Sequence, residues 1–422
     1  MIIRGEPISW QRNIAFFLAG QAVSLIGSSI VGFAIMWYVV LQTGSGTMMM
    51  MFTVAIMLPM FFIAPFGGVW ADNFNRKNLI NIADGFIAAV TLVIAIGFAL
   101  GYENLWFLLL CSVARSLGQG VQVPAVSSLI PQIVPSEKLM RVNGVNQMIQ
   151  SISMLGTPAL AGALMTFLPI QSILLIDVVT AASAITILIL FVRVPNPKGA
   201  AMHEGEERRP LLADLKDGLI YIRDHVFLKR FFIILAIFQF LIAPVALLTP
   251  LQVTRNFGPD IWRLTVIEIA FSVGMAVGGL LMTTWGGFKN RTYTVAVSFI
   301  LLAAMGVGLG MTSVFVAYSI FMGISGLSVA MDSTPAMTIL QQKVDPLYMG
   351  RVFSVMTMIS SLVMPLGTVV FGPLADSVSL DMIIIITSIL TGLTGAYIFF
   401  DKILIEAGRP VVQDDPDGSA SV

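Results

Sequence analysis

The chain has 422 residues, 57% hydrophobic and only 11% charged, with a mean hydropathy of +0.91. A soluble globular chain carries about 25% charged residues, so this one cannot cover a water-facing surface with polar groups. Its 23 basic and 23 acidic side chains cancel to a formal charge of zero, which gives no footing for nucleic acid, and its single cysteine excludes an intrachain disulfide and any multi-cysteine metal site.

Crossing the hydrocarbon core takes about 20 apolar residues in a helix. The N-terminal stretch to Asn13 is polar, and the apolar run after it is too long for a cleavable signal. Span one is expected near 14–41 with Gln21 inside it, span two near 48–71 and span three near 78–100 with Asp84. Span four follows near 105–130 with Arg115, span five near 143–167 and span six near 170–192 with Asp177. A polar interval comes next. Within it Pro210 precedes Leu211, Leu212, Leu215, Leu219 and Ile222 at helical spacing, which reads as an interfacial amphipathic tether. Apolar runs resume near 227–250 with Gln239 and Pro244, 264–285 with Glu268, 292–312, 314–341 with Asp332, 352–375 and 380–400. None alternates with period two, so a transmembrane β-barrel is excluded. Both histidines, His203 and His225, fall in the polar interval.

Basic residues orient the spans. Arg4, Arg12, Arg76, Lys77, Lys138, Arg141, the stretch Arg193 to Arg230, Lys289, Arg291, Lys343, Arg351, Lys402 and Arg409 all fall on one side. Only Arg255 and Arg263 fall on the other, which places both termini in the cytoplasm. A shift of 211 residues superposes Gly67-Gly68 on Gly278-Gly279, Pro124-Ala125 on Pro335-Ala336 and Pro135 on Pro346. The expected plan is therefore an all-α membrane protein of twelve transmembrane helices in two pseudo-symmetric six-helix bundles. Its parts are a bundle over 1–192, a cytoplasmic linker with the amphipathic helix over 193–226, a second bundle over 227–402 and a disordered cytoplasmic tail over 403–422.

Span two ends Gly67-Gly68-Val69-Trp70-Ala71-Asp72-Asn73-Phe74-Asn75-Arg76-Lys77. This resembles the loop motif of the major facilitator superfamily, with Asn75 where a glycine is usual. Asn tolerates the left-handed backbone that such a position implies. Gly68 is expected to let two helices approach closely, and Asp72, Arg76 and Lys77 to form a cytoplasmic charge latch. Over nearly the whole chain the sequence is similar to the macrolide-efflux branch. The likeness rests on Ala19-Gly20-Gln21-Ala22-Val23-Ser24-Leu25-Ile26, Arg115-Ser116-Leu117-Gly118 with Pro124-Ala125, and Ile267-Glu268-Ile269-Ala270-Phe271. It extends to Gly274, Gly278-Gly279-Leu280-Leu281 and Gly350-Arg351-Val352-Phe353-Ser354.

The resemblance implies the major facilitator fold, in which spans one, four, seven and ten line a central cavity. It places Gln21, Arg115 and Gln239 there as substrate candidates. A charge inside a span costs about 2.5–3.5 kcal/mol on insertion scales, so each is a functional hypothesis. Arg115 is expected either to hold an anionic partner in the cavity or to pair with Asp84 or Asp177. Glu268 and Asp332 are the proton-coupling candidates. Asp84 and Asp177, on peripheral spans, are expected to be structural, and Asp376, following Gly372, to cap a helix contact near the outer surface. The implied protein is a non-enzymatic, proton-coupled exporter of hydrophobic drug-like molecules in the bacterial inner membrane, monomeric and without cofactor or metal. A separate ATP-binding partner is compatible but not required, since no Gly-rich lysine loop is present. A siderophore exporter, a lysophospholipid transporter and a non-transporting sensor of the same fold are the alternatives.

Overall fold

The computed structural model describes residues 10–194, 211–345 and 348–409, and these are almost wholly helical. The helices are α1 (Trp10–Thr43), α2 (Gly46–Asn73), α3 (Arg76–Ala99), α4 (Leu105–Ile133), α5 (Leu139–Phe167), α6 (Ile170–Phe191), α7 (Leu211–Asp224) and α8 (Val226–Leu247). They continue as α9 (Thr249–Phe257), α10 (Ile261–Trp285), α11 (Arg291–Met311), α12 (Phe315–Lys343), α13 (Met349–Ser377), α14 (Leu380–Phe400) and α15 (Lys402–Ala407). Eleven stretches are long and apolar enough to cross a membrane. The twelfth span is α4, whose apolar run is interrupted by Arg115, Gln119 and Gln122. Large apolar side chains such as Phe62, Phe167, Leu190 and Leu393 are exposed, as a lipid-facing surface requires.

The helices start where the sequence supplies caps. Ser45, Asn75, Asn104, Asn290 and Asp401 each accept a hydrogen bond from a backbone N–H in the first turn that follows. Asn75 therefore corrects its expected role. Its φ is −64°, not left-handed, and its side chain caps α3. The close approach expected at Gly68 belongs instead to its neighbour. A Cβ on Gly67 would lie 2.7 Å from the Gly120 carbonyl oxygen of α4, whereas Gly68 has nothing within 4 Å. The second half repeats this, with Gly278 tight against Leu327 of α12 and Gly279 open.

The repeat is also better defined than a single shift. The bounds Leu105–Ile133 and Leu139–Phe167 recur 210 residues later as Phe315–Lys343 and Met349–Ser377, and α6 and α14 start 210 apart. The 211-residue shift is one too long over these helices, so Pro124 and Pro335 are staggered by a residue. Different connections before α3 and α11 explain why no single offset holds: Asn75 alone caps α3, whereas Gly286 and Gly287, both at positive φ, lead into α11. Pro346 lies outside the described residues.

The chain forms two compact units that cut across the sequence halves. The first contains α1–α6 together with Ala243–Ser272 and Met364–Ile383, so it takes the end of α8, all of α9, the start of α10 and the end of α13 from the second half. One of its apolar clusters centres on Phe17, Ile80 and Leu129 and another on Phe52, Ile94 and Leu108. The second unit contains α7, the start of α8, Val273–Val363 and the chain from Ile384. In it α7 packs on the start of α13, where the Tyr221 and Tyr348 rings stack at 4.3 Å. Ile222 is buried there, but Leu219 is exposed. The side chains of 211–216, His203 and the rest of the interval before α7 lie outside the described residues, as does the tail beyond 409. The segment after α14 begins with a helix, α15, capped by Asp401.

Candidate functional site

Two polar layers cross the interior of the first unit. In one, Arg115 of α4 is 5% exposed and donates to the Asp177 carboxylate of α6 at 2.7 Å. Asp177, fully buried, also accepts from Ser28 of α1 at 2.8 Å and from Thr91 of α3 at 2.9 Å. Arg115 further contacts the Thr91 hydroxyl. Arg115 is thus committed to Asp177, the second of its two expected partners, through a network in which four helices contribute. A buried pair is tolerated only when further hydrogen bonds complete it, and Ser28 and Thr91 do so.

The other layer lies seven residues away on both helices. On α3, Asp84 precedes Thr91 by seven residues, and on the antiparallel α4, Gln122 follows Arg115 by seven. Seven residues of helix rise about 10.5 Å. Asp84 is 3% exposed, and its Oδ1 accepts from Gln122 Nε2 at 3.2 Å. The same amide reaches Gln21 Oε1 of α1 at 3.4 Å. Asp84 Oδ2 and Asn81 Oδ1 are buried without a hydrogen-bond partner among the described residues. Gln122 was not visible as a site residue in the sequence; its seven-residue spacing from Arg115 was the available signal.

A clasp occupies the end of this unit where α1 turns into α2. Asp376, at the end of α13, accepts from the backbone N–H groups of Gly46 and Thr47 at 2.7 and 2.8 Å and from the Ser45 hydroxyl at 2.8 Å. A carboxylate on the first N–H groups of a helix is favoured by both hydrogen bonding and the helix dipole. Arg255 of α9 donates to Asp376 at 2.9 Å and to the Gly44 carbonyl oxygen at 2.7 Å. Backbones meet beneath it. A Cβ on Gly372 would lie 2.8 Å from the Gly46 carbonyl oxygen, and one on Gly162 of α5 would collide with Thr265 of α10. Asp376 caps a helix as expected, whereas the Arg255 contact was not legible.

Glu268, on α10 in the first unit, is half-buried, and neither a hydrogen bond nor an ion pair reaches it among the described residues. Lys77 of the loop motif donates to the carbonyl oxygens of Ile189 and Val192 at the end of α6, at 3.1 and 2.7 Å. A cation there satisfies groups that the helix leaves open. Arg76 opens α3; Asp72 ends α2, and its side chain lies outside the described residues.

In the second unit a cavity of about 60 Å³ is lined by Phe231 and Phe238 of α8, Val295 and Phe299 of α11, and Asp332 and Ala336 of α12. Asp332 is the only carboxylate in its lining. Ligand pockets usually run to about 300–1,000 Å³, so this one admits a chemical group rather than a whole drug. Gln239, one residue beyond Phe238, does not line it. Beside it, Asp401 accepts from Tyr397 at 2.7 Å, pairs with Arg230 and caps α15. Burial alone would raise the Asp401 carboxyl, but these hydrogen bonds outweigh it and hold the group below its ordinary range. No group of three metal-ligating side chains gathers among the described residues.

A family model described as the Major Facilitator Superfamily matches residues 17–368. Macrolide efflux protein A of Streptococcus pyogenes is 30% identical over 378 residues, covering 88% of this chain and 92% of that protein. The protein of the same name from Enterococcus faecalis is 30% identical over 315 residues, 74% of this chain and 95% of that one. A crystal structure of a bacterial homologue of the iron transporter ferroportin in an inward-facing state superposes with a TM-score of 0.69 at 15% identity, over 94% of this chain and all of that one. At that identity the likeness speaks for the fold alone.

Proposed function

We propose, since the chain belongs to the Major Facilitator Superfamily and within it to the branch of the macrolide efflux proteins, that it exports hydrophobic, macrolide-like molecules by alternating access, driven by inward proton movement. It is a multi-pass bacterial membrane protein. Its basic residues put both termini in the cytoplasm, so the α1–α2 loop and the clasp face outward.

The clasp carries the alternating-access reading. Asp376 and Arg255 come from the second sequence half, and Gly44, Gly46 and Thr47 from the first. The contacts are polar, peripheral to the apolar clusters and centred on one carboxylate, so they can release without unfolding any helix. The bundles 1–192 and 227–402 then rock about the axis between them, joined by 193–226. Gly68, Asp72, Arg76 and Lys77 act as the corresponding latch on the cytoplasmic side, with Lys77 exchanging its α6 carbonyl partners during the cycle.

Glu268 and Asp332 are the carboxylates through which protons act. Each lacks a counter-charge among the described residues, so protonation changes the balance of states without dismantling a structural pair. Asp332, in a Phe-lined cavity, also meets part of the substrate. Gln21 and Gln239 offer hydrogen bonds from α1 and α8, while Arg115 fixes the first bundle through Asp177. ATP is not required.

The reading is tested by expressing the chain in a macrolide-susceptible bacterium and following accumulation of radiolabelled erythromycin. Lower accumulation that a protonophore abolishes supports it. Unchanged accumulation, with transport of a siderophore or a lysophospholipid instead, overturns the substrate class. Full gradient-driven export in both Glu268→Gln and Asp332→Asn overturns their assignment.

A further inference from the structure

We propose that Asp84 and Asn81 form a proton-binding site in the first helical half, held in place by Gln122 and Gln21. The site rests on the proton-coupled reading above and adds to it a carboxylate on a span where no coupling role was expected.

Hydrogen-bond accounting leads to it. Asp84 Oδ1 has a donor in Gln122, but Oδ2 has none, and Asn81 Oδ1 has none either. The two residues are three apart on α3 and therefore share a face. Two buried acceptors side by side, each without a donor, are costly. Placing a proton on Asp84 Oδ2 turns one of them into a donor, and Asn81 Oδ1 is the acceptor one turn away. A single proton thus answers both deficits and removes an uncompensated buried charge. The chemistry is a reversible protonation, with one O–H bond formed on uptake from one side and broken on release to the other.

The neighbouring charges leave the task to a proton. From α4 the only charged side chain is Arg115, which is taken by Asp177. From α6 it is Asp177 itself, an anion. The α1 helix presents Gln21 and has no charged residue beyond Arg12. On α2 the sole charge is Asp72, at its last turn. On α3 the basic residues are Arg76 and Lys77 in the first turn, and Lys77 is bound to α6 carbonyl oxygens. The second half does not repeat the site: 210 residues after Gln122 stands Asp332, and the α11 side chain lining the same cavity is Val295.

The test uses the full chain in liposomes, with infrared difference spectra between acidic and alkaline buffer. The wild type is expected to show the C=O stretch of a protonated carboxyl that disappears in Asp84→Asn. In Asn81→Leu the band is expected to persist at higher frequency, because its acceptor is gone. This second variant keeps the test decisive should Asp84→Asn fold poorly. A band that survives Asp84→Asn, a band unmoved in Asn81→Leu, or a response to sodium in place of protons would overturn the proposal. Export of radiolabelled erythromycin under an imposed pH gradient is read in parallel. Loss of gradient acceleration in Asp84→Asn, with recovery in Asp84→Glu, supports the site. A band that behaves as expected in a wild type whose export ignores the gradient upholds the site and sinks the coupling.

Discussion

The interiors of the two sequence halves solve the same packing problem with different chemistry. In the first, Arg115 of α4 faces Asp177 of α6 in a buried ion pair. Positions 210 residues on, in α12 and α14, hold Ser325 and Thr387, both buried and without charge. Their hydroxyls return to their own helices, Ser325 to Phe321 and Thr387 to Ile384. The next layer differs in the opposite sense. Asp84 and Gln122 make a polar contact in the first half, while the second places Asp332 among phenylalanines. The same fold forms either way, so helix packing alone does not call for the first half's charges. Buried ion pairs are weak contributors to net stability but expensive to leave half-made.

The largest expected effect comes from rewriting one layer as the other. Arg115→Ser leaves Asp177 buried without its cation and should cost about 3–5 kcal/mol. Adding Asp177→Thr, which copies the second half, should restore most of that in a thermal-unfolding double-mutant cycle. A double variant as unstable as the single one would break the comparison. Packing should respond equally in both halves. Gly67→Val and Gly278→Val each force a side chain against a neighbouring backbone and should cost about 1–3 kcal/mol. Gly68→Val and Gly279→Val, with open space beside them, should fall well below that in the same melts. The smallest effect sits at the ends of α6 and α14. Asp401→Asn should cost about 1 kcal/mol through the weakened α15 cap. Because folding holds this carboxyl below its ordinary range, its contribution is complete above that range. It is lost as pH falls through the folded value. Stability of Asp401→Asn should accordingly converge on wild type in acid; a constant difference at all pH values would contradict the pairing.

The spans, their two-fold repetition and the candidate carboxylates were legible because apolar length, glycine pairs and charge in a hydrophobic run are properties of the chain itself. Register between helices is not. Spacing on α4 places Arg115 and Gln122 on one face, but only the antiparallel α3 decides that Asp84 meets Gln122. Which of Asp84 and Asp177 receives Arg115 was left open for that reason. Gly67 and Gly68 are equally small, and only the position of α4 shows which one needs to be. The Arg255–Asp376 clasp joins residues 121 apart and was invisible to any local pattern.

Alternating access is tested most directly by fastening that clasp. With Cys111 replaced by Ser, Ser45→Cys and Asp376→Cys place two thiols where the hydroxyl and carboxylate now lie 2.8 Å apart. A short thiol cross-link should abolish export of radiolabelled erythromycin, and its reduction should restore the rate of the uncross-linked variant. Export that continues at the same rate with the link intact would contradict the account.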